Sequence, residues 1–302
     1  MSMVLYFSKI NLNSDKIYDA YDNKQVLEEA LSLLLIDIQH DLKYEKTWIH
    51  KDGNEEEVVQ SIEYRVGIRD KTQDSIHGVV YKESKIPYKK LGADGKIVNK
   101  SIQSIEGIRF YFDVYREMVG FHTTNRFGYR EFNDVFEGLI NKAMEENNRG
   151  LHFTVSLKKD NLEIVHIHEE LKKIGKIAKL NIRFQPPNPD GDLLDSIESK
   201  EEMLEEWKEA NVTNTIIEFT SKGENGLDIG STLIRKRLDE VDLFNENCGG
   251  AALQNDYTSI SVTGINGRKY TTVEDKPLRK KIERMDDFIE ACMTVIANKV
   301  RS

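Results

Sequence analysis

The stretch IRFYFDVYREMVGFHTTNRFGYREF, residues 108–132, changes period partway through, and that change decides the fold class. Ile108, Phe110, Phe112 and Val114 alternate with Arg109, Tyr111, Asp113 and Tyr115, the period of two that sets one face of a strand apart from the other. Val119 and Phe121 predict a returning arm. From Phe132 the period lengthens: Phe132, Val135, Phe136, Leu139, Ile140, Ala143 and Met144 form the stripe of an amphipathic helix. Two more strands are expected at Leu151 to Leu157 and Lys179 to Phe184, with Ile164, Ile167, Leu171 and Ile174 at helical spacing between them. Strand, strand, helix, strand, helix, strand is an α+β arrangement, a mostly antiparallel or mixed sheet covered by helices.

Outward from this unit, Met3 to Leu12 reads as a strand. Asp22 or Asn23 caps a helix with Leu27, Leu31, Leu34 and Ile38 on one face. Ile62, Tyr64, Val66 and Ile68 alternate as another strand, with Val79 to Tyr81 as its partner, and the following twenty residues read as a long loop or an exposed hairpin. Pro186, Pro187 and Pro189 make a rigid break. It divides an N-terminal α+β domain, 1–185, from a C-terminal α+β region, 186–302, which packs separately or on the same core. Beyond it come an acidic helix with Met203, Leu204 and Trp207 on one side, the short strand Thr215 to Thr220, and a helix over Ile229 to Leu243. A hairpin follows at Asn266-Gly267, and a long final helix is expected to start at Asp275 and Pro277, with Leu278, Ile282, Met285, Ile289, Cys292 and Ile296 as its stripe.

The 302 residues are 39% hydrophobic and 31% charged, a folded composition. No run reaches the ~18 apolar residues of a membrane span, and two cysteines are too few for a disulfide framework. A cytoplasmic protein without membrane contact, with a homo-oligomer allowed, is the expectation. The net charge of −9 is uneven. Residues 190–209 carry −7, whereas Lys82, Lys85, Lys89, Lys90, Lys96 and Lys100 oppose only Glu83 and Asp94 and make a basic patch suited to nucleic-acid phosphates, or else a solvated lysine-rich loop.

The richest polar cluster is GFHTTNRFGYR, residues 120–130. His122, Thr123, Thr124, Asn125, Arg126, Tyr129 and Arg130 gather beside an expected helix N-terminus, a composition that suits an anion such as a phosphorylated small-molecule signal. The reading set against it, and the one the residues favour, is an ordinary strand-to-helix loop with Thr123, Thr124 or Asn125 capping the helix and Arg126 or Arg130 paired to Glu131 or Asp134. His166 and His168 share a metal only if their segment is a strand, because two residues apart on a helix lie about 200° around the axis. Glu218, Asp190 and Lys222 make a loose version of a metal-dependent nuclease site; a divalent metal enters only under that reading, and no other cofactor is evident. Cys248 beside Gly249-Gly250 is a weak thiol candidate. Arg235 to Arg237 and Arg279 to Arg284 are basic helix faces interleaved with acids.

Pro187-Asn188-Pro189-Asp190 after a strand, then CysGlyGlyAlaAla at 248–252, a strand, Gly264-x-Asn266-Gly267 and a polar strand ending near Pro277-Leu278 resemble a bacterial family of unknown function. The resemblance covers about the last two thirds of the chain. It implies an accessory protein of mobile elements or phage-defence neighbourhoods, working through a partner protein or nucleic acid, and implies no reaction.

Overall fold

A computed structural model describes residues 2–51, 57–91, 97–189 and 201–299. They form an α+β fold with antiparallel sheets, divided into two compact units. Both units draw on separated stretches of sequence, and the proline segment 186–189 lies inside the second.

The first unit comprises Met1–Leu5, Ser32–Arg149 and Lys280–Ser302. Its strands are β1 (Met3–Leu12, of which Met3–Leu5 count here), β2 (Lys43–Lys51), β3 (Glu57–Lys71), β4 (Ser75–Leu91), β5 (Ile97–Asp113), β6 (Met118–His122) and β12 (Arg279–Ile282). They run β12-β1-β6-β5-β4-β3-β2 across the sheet. The β5–β6 hairpin pairs Phe110 with Phe121 and Phe112 with Val119, and of the two readings of the twenty residues after Tyr81, loop or hairpin, the strands β4 and β5 give the hairpin. Over this sheet lies α3 (Tyr129–Glu146), whose Phe132 stacks on Phe121 at 3.9 Å between centroids while Phe136 meets Phe110 and Phe112 edge-on or tilted. All of these rings are buried. Truncating one to alanine is expected to destabilise the unit by about 3–5 kcal/mol. Gly138 on α3 is where β2 comes close: a Cβ there would sit 2.5 Å from the Tyr44 ring.

The C-terminal helix is present but shorter than its stripe suggests. It spans Phe288–Lys299 (α8 in the order used here), whereas Leu278 and Ile282 belong to β12 and its approach, and Met285 to a 3-10 turn. Phe288, Cys292 and Ile296 are its buried side.

The second unit comprises Tyr6–Leu31 and Gly150–Arg279. The rest of β1 pairs with β7 (Phe153–Leu157) from Ser8↔Leu157 to Leu12↔Phe153. A separate four-stranded sheet runs β11-β10-β8-β9, built from β8 (Ile177–Phe184), β9 (Thr215–Thr220), β10 (Thr258–Gly264) and β11 (Lys269–Thr271). The β10–β11 turn uses Gly267 at φ 78°, the left-handed conformation that Asn-Gly hairpins demand. Helices α4 (Ile164–Ile174), α6 (Thr232–Asn247) and α7 (Ala251–Gln254) supply the cluster of Ile167, Leu171, Leu238, Val241, Phe244 and Leu253 that meets Leu180 and Ile182 of the sheet, with Leu204 and Trp207 of α5 (Glu201–Glu209) packed against it. Acidic α5 packs rather than standing free, since Trp207 lies 5.8 Å from Phe244 and 6.5 Å from Phe184 between ring centroids. At the start of this unit α1 (Lys16–Asp22) precedes α2 (Gln25–Asp37), and Asn23 accepts the Gln25 N–H with its side-chain oxygen, as a cap should.

Candidate functional site

Strands β4 and β5 are 17 residues each and pair along their whole length, from Ser75↔Asp113 to Leu91↔Ile97. Their neighbour β3 pairs with β4 only as far as Glu63↔Glu83. Residues 84–91 and 97–104 therefore form a two-stranded ribbon whose only ladder partners among the described residues are each other, about 27 Å long at ~3.4 Å per residue. Pro87, opposite Ser101, fits this setting: proline has no N–H to give a third strand, and none is paired there. The register sets Lys85 against Gln103, Lys89 against Asn99, Lys90 against Val98 and Lys100 against Tyr88. Lys85 and Ser101 to Gln103 are exposed, Ile102 by 60%. Lys96 lies outside the described residues, as does Asp190.

Lys82, the sixth lysine of the patch, points elsewhere. Its Nζ sits 2.8 Å from the Glu131 carboxylate, donates to the Arg126 carbonyl at 2.8 Å and lies over the Phe127 ring. It is an internal tie of α3 rather than a free cation. Residues 84–104 still carry five lysines against Asp94, so a chain of net −9 holds +4 on this ribbon and −13 elsewhere.

The loop over residues 120–130 is held by carboxylates. Thr124 Oγ1 donates to Glu106 at 2.7 Å and accepts the Phe127 N–H at 3.1 Å, and Arg126 lies 3.8 Å from Glu106. Glu131, in the first turn of α3, accepts from Lys82 and from the buried Tyr64 hydroxyl at 2.5 Å. Burial first, and then that hydrogen bond, raise the Tyr64 pKa. Gly128 occupies the N-cap and no side chain caps it, so Thr123, Thr124 and Asn125 are not the caps expected. His122 is buried; its Nε2 accepts the Arg109 N–H at 3.1 Å, and burial holds its pKa below the ordinary imidazole value. A neutral imidazole spent on a backbone donor is a structural group. Asn125, Arg126 and Arg130 are exposed, while Thr123 and Tyr129 are half-buried.

The remaining candidates are dispersed. Glu218 is ion-paired to Lys179 at 2.8 Å on an exposed strand, and Lys222 is exposed in the following loop. His166 and His168 lie on helix α4 and part company: His166 meets Asp275 at 2.8 Å, His168 faces Asp242 at 3.8 Å. Among the described residues no group of three or more His, Cys, Asp or Glu is placed to hold a metal ion. Cys248 and Cys292 are buried, and burial raises the Cys292 pKa, which disfavours the reactive thiolate. Arg279 to Lys281 belong to a strand rather than to the helix face expected of them.

One polar constellation has no counterpart among the residues that the sequence marks out. Lys159, 1% exposed, donates to Asp256 at 2.6 Å, and Arg183 closes on the other carboxylate oxygen and on the Ser259 hydroxyl. Around them Lys158 donates to Asn255 Oδ1 at 2.6 Å, and buried Asn188, from the Pro-Asn-Pro-Asp motif, accepts the Leu12 N–H at 3.0 Å. Neither lysine falls in a periodic or spaced pattern that would have marked it.

A family model described as Domain of unknown function (DUF4747) matches residues 74–296. This is most of the chain, including the ribbon strands β4 and β5 and all of the four-stranded sheet, and the chain belongs to that family. No curated protein matches it.

Proposed function

We propose that this member of the DUF4747 family is a non-catalytic accessory protein of a bacterial phage-defence or mobile-element module, and that it works by gripping nucleic acid with the β4–β5 ribbon. The observation that carries the reading is the continuation of β4 and β5 past the end of β3, which presents a strongly basic stretch of an acidic chain as a two-stranded ribbon. A ribbon of this width enters the major groove of duplex DNA, and lysines along it exchange condensed counterions for protein charge. The net acidity of the remainder disfavours contact over most of the surface.

The test is fluorescence anisotropy with labelled duplex DNA, single-stranded DNA and RNA over about 50 to 200 mM salt. Binding should weaken steeply with salt. Replacing Lys85, Lys89, Lys90 and Lys100 by alanine should flatten the slope of log K against log salt by up to about 0.9 for each duplex phosphate that no longer meets a lysine. No binding at the lowest salt, or an unchanged slope in the quadruple variant, overturns the proposal. The same samples run on a denaturing gel with Mg²⁺ address the nuclease reading; cleavage lost in Glu218→Ala would replace the binding proposal with that one.

A further inference from the structure

We propose that the 123–126 loop is a second hold on the same nucleic acid: with the ribbon in a groove of duplex DNA, Arg126 takes a backbone phosphate at the groove's edge. This rests on the ribbon grip proposed above, and adds to it a residue, a face and a restraint.

In sequence the basic patch and the 120–130 cluster are separate candidates, but the fold brings them to one row of the sheet. Lys82 of β4 and Glu106 of β5 are cross-strand partners, and both reach the loop. Lys82 Nζ donates to the Arg126 carbonyl at 2.8 Å. Glu106 accepts from the Thr124 hydroxyl at 2.7 Å and lies 3.8 Å from the Arg126 guanidinium. Side chains alternate along a strand, so Ser104 and Ile102 follow Glu106 on the face where the loop sits, ~7 and ~14 Å further toward the tip. Ile102 is 60% exposed there. The loop therefore stands at the root of the ribbon, on one definite face of it.

The polar groups at this root are not equally committed. Thr124 is spent on the turn, where it also accepts the Phe127 N–H, and Lys82 is spent on Glu131. Arg126 is held only loosely. Its side chain is 61% exposed, and 3.8 Å is too long for a hydrogen bond to Glu106. A phosphate offers the guanidinium what this pair does not, a bidentate and charge-assisted partner. The major groove is about 12 Å wide, so a ribbon inside it has a phosphate chain on either side, and a cation beside its root is placed for one of them. Glu106 supplies the restraint, because its carboxylate competes with phosphate for Arg126.

The duplex-DNA anisotropy titration on the full chain tests this, with melting curves alongside. Arg126→Ala should flatten the slope of log K against log salt by about 0.9, the share of one duplex phosphate, at an unchanged melting temperature. Arg126→Lys keeps the charge and should keep the slope. Glu106→Gln still accepts from Thr124 but releases Arg126, and should tighten binding about twofold, the scale of an exposed ion pair. That gain should vanish in the Glu106→Gln, Arg126→Ala double variant. An Arg126→Ala slope equal to wild type, beside a quadruple lysine variant whose slope does fall, overturns the loop contact and leaves the ribbon grip standing. A Glu106→Gln gain that survives without Arg126 also overturns it, since the carboxylate then acts by its own charge. Wild-type protein that binds no DNA removes the ribbon grip, and the loop contact with it.

Discussion

Asp256 holds two cations while sitting in a backbone conformation, φ 64°, that few residues other than glycine, asparagine and aspartate adopt at low cost. It is 1% exposed, as is Lys159, so the two leave water together on folding and are stable only as a pair. Asp256→Ala leaves Lys159 buried without its counter-charge and is expected to destabilise the protein by about 3–5 kcal/mol. Lys159→Met should be milder, because Asp256 keeps Arg183 and the methionine fills most of the lysine's volume. Urea unfolding midpoints give the order, and a methionine variant weaker than the alanine one would contradict it. Little of this was legible beforehand. Lys159 and Asp256 are 97 positions apart in stretches of ordinary polar residues, and only the tertiary fold brings them together. His122 failed in the opposite direction: imidazole beside hydroxyls and arginines looks like a ligand set, but position 122 ends a strand whose every residue is buried, and burial makes it a backbone acceptor.

At the scale of elements, what was legible depended on whether an element's own burial wrote its pattern. α3 buries one continuous side on β5 and β6, so its stripe predicted it closely, and the alternation of residues 108–115 announced β5 for the same reason. The final stripe misled because Leu278, Ile282 and Met285 are spaced at three and four by coincidence across a strand and a turn, the first two buried and Met285 only half-buried. The ribbon was only half legible: among the described residues 84–91 and 97–104 pair with each other alone, and their sequence lacks the clean alternation that marks β5 nearer its middle. For the same reason the ribbon should be removable. Excising residues 86–102 and joining Lys85 to Gln103, which are direct cross-strand partners, by an Asn-Gly turn should close β4 on β5 with a favoured two-residue hairpin. The melting temperature should stay within about 5 °C of wild type, since the excision separates no strand from a described partner outside the ribbon. Binding to nucleic acid should vanish. A variant that no longer folds would make the ribbon part of the structural core and remove the case for a dedicated binding arm.

The whole chain is larger than the part that its family model recognises, and the difference is structural. Residues 74–296 leave out β1, α1, α2, β2 and β3. Those elements are not peripheral to either unit. In the first, β1 lies between β12 and β6, and β3 and β2 continue the sheet beyond β4, with the Tyr64 hydroxyl bonded to Glu131. In the second, the Ser8 to Leu12 half of β1 is the strand against which β7 pairs, and the Tyr18 hydroxyl donates to the Val212 carbonyl. A fragment of residues 74–296 would therefore expose β4 and β6 as raw edges, leave β7 without its ladder and lose the buried Leu5, Phe7, Leu34 and Val66, whose burial stabilises the fold by roughly 1.5–3 kcal/mol each. We expect that fragment to aggregate or to show no dispersed amide spectrum by NMR, whereas the full chain gives a dispersed one. Adding residues 1–73 as a separate polypeptide tests the reason as well as the result, because the missing strands pair through backbone bonds that need no covalent link. Recovery of dispersed resonances on mixing would attribute the failure to the lost strands, and a 74–296 fragment that folds unaided would show the N-terminal elements to be additions to a self-sufficient core.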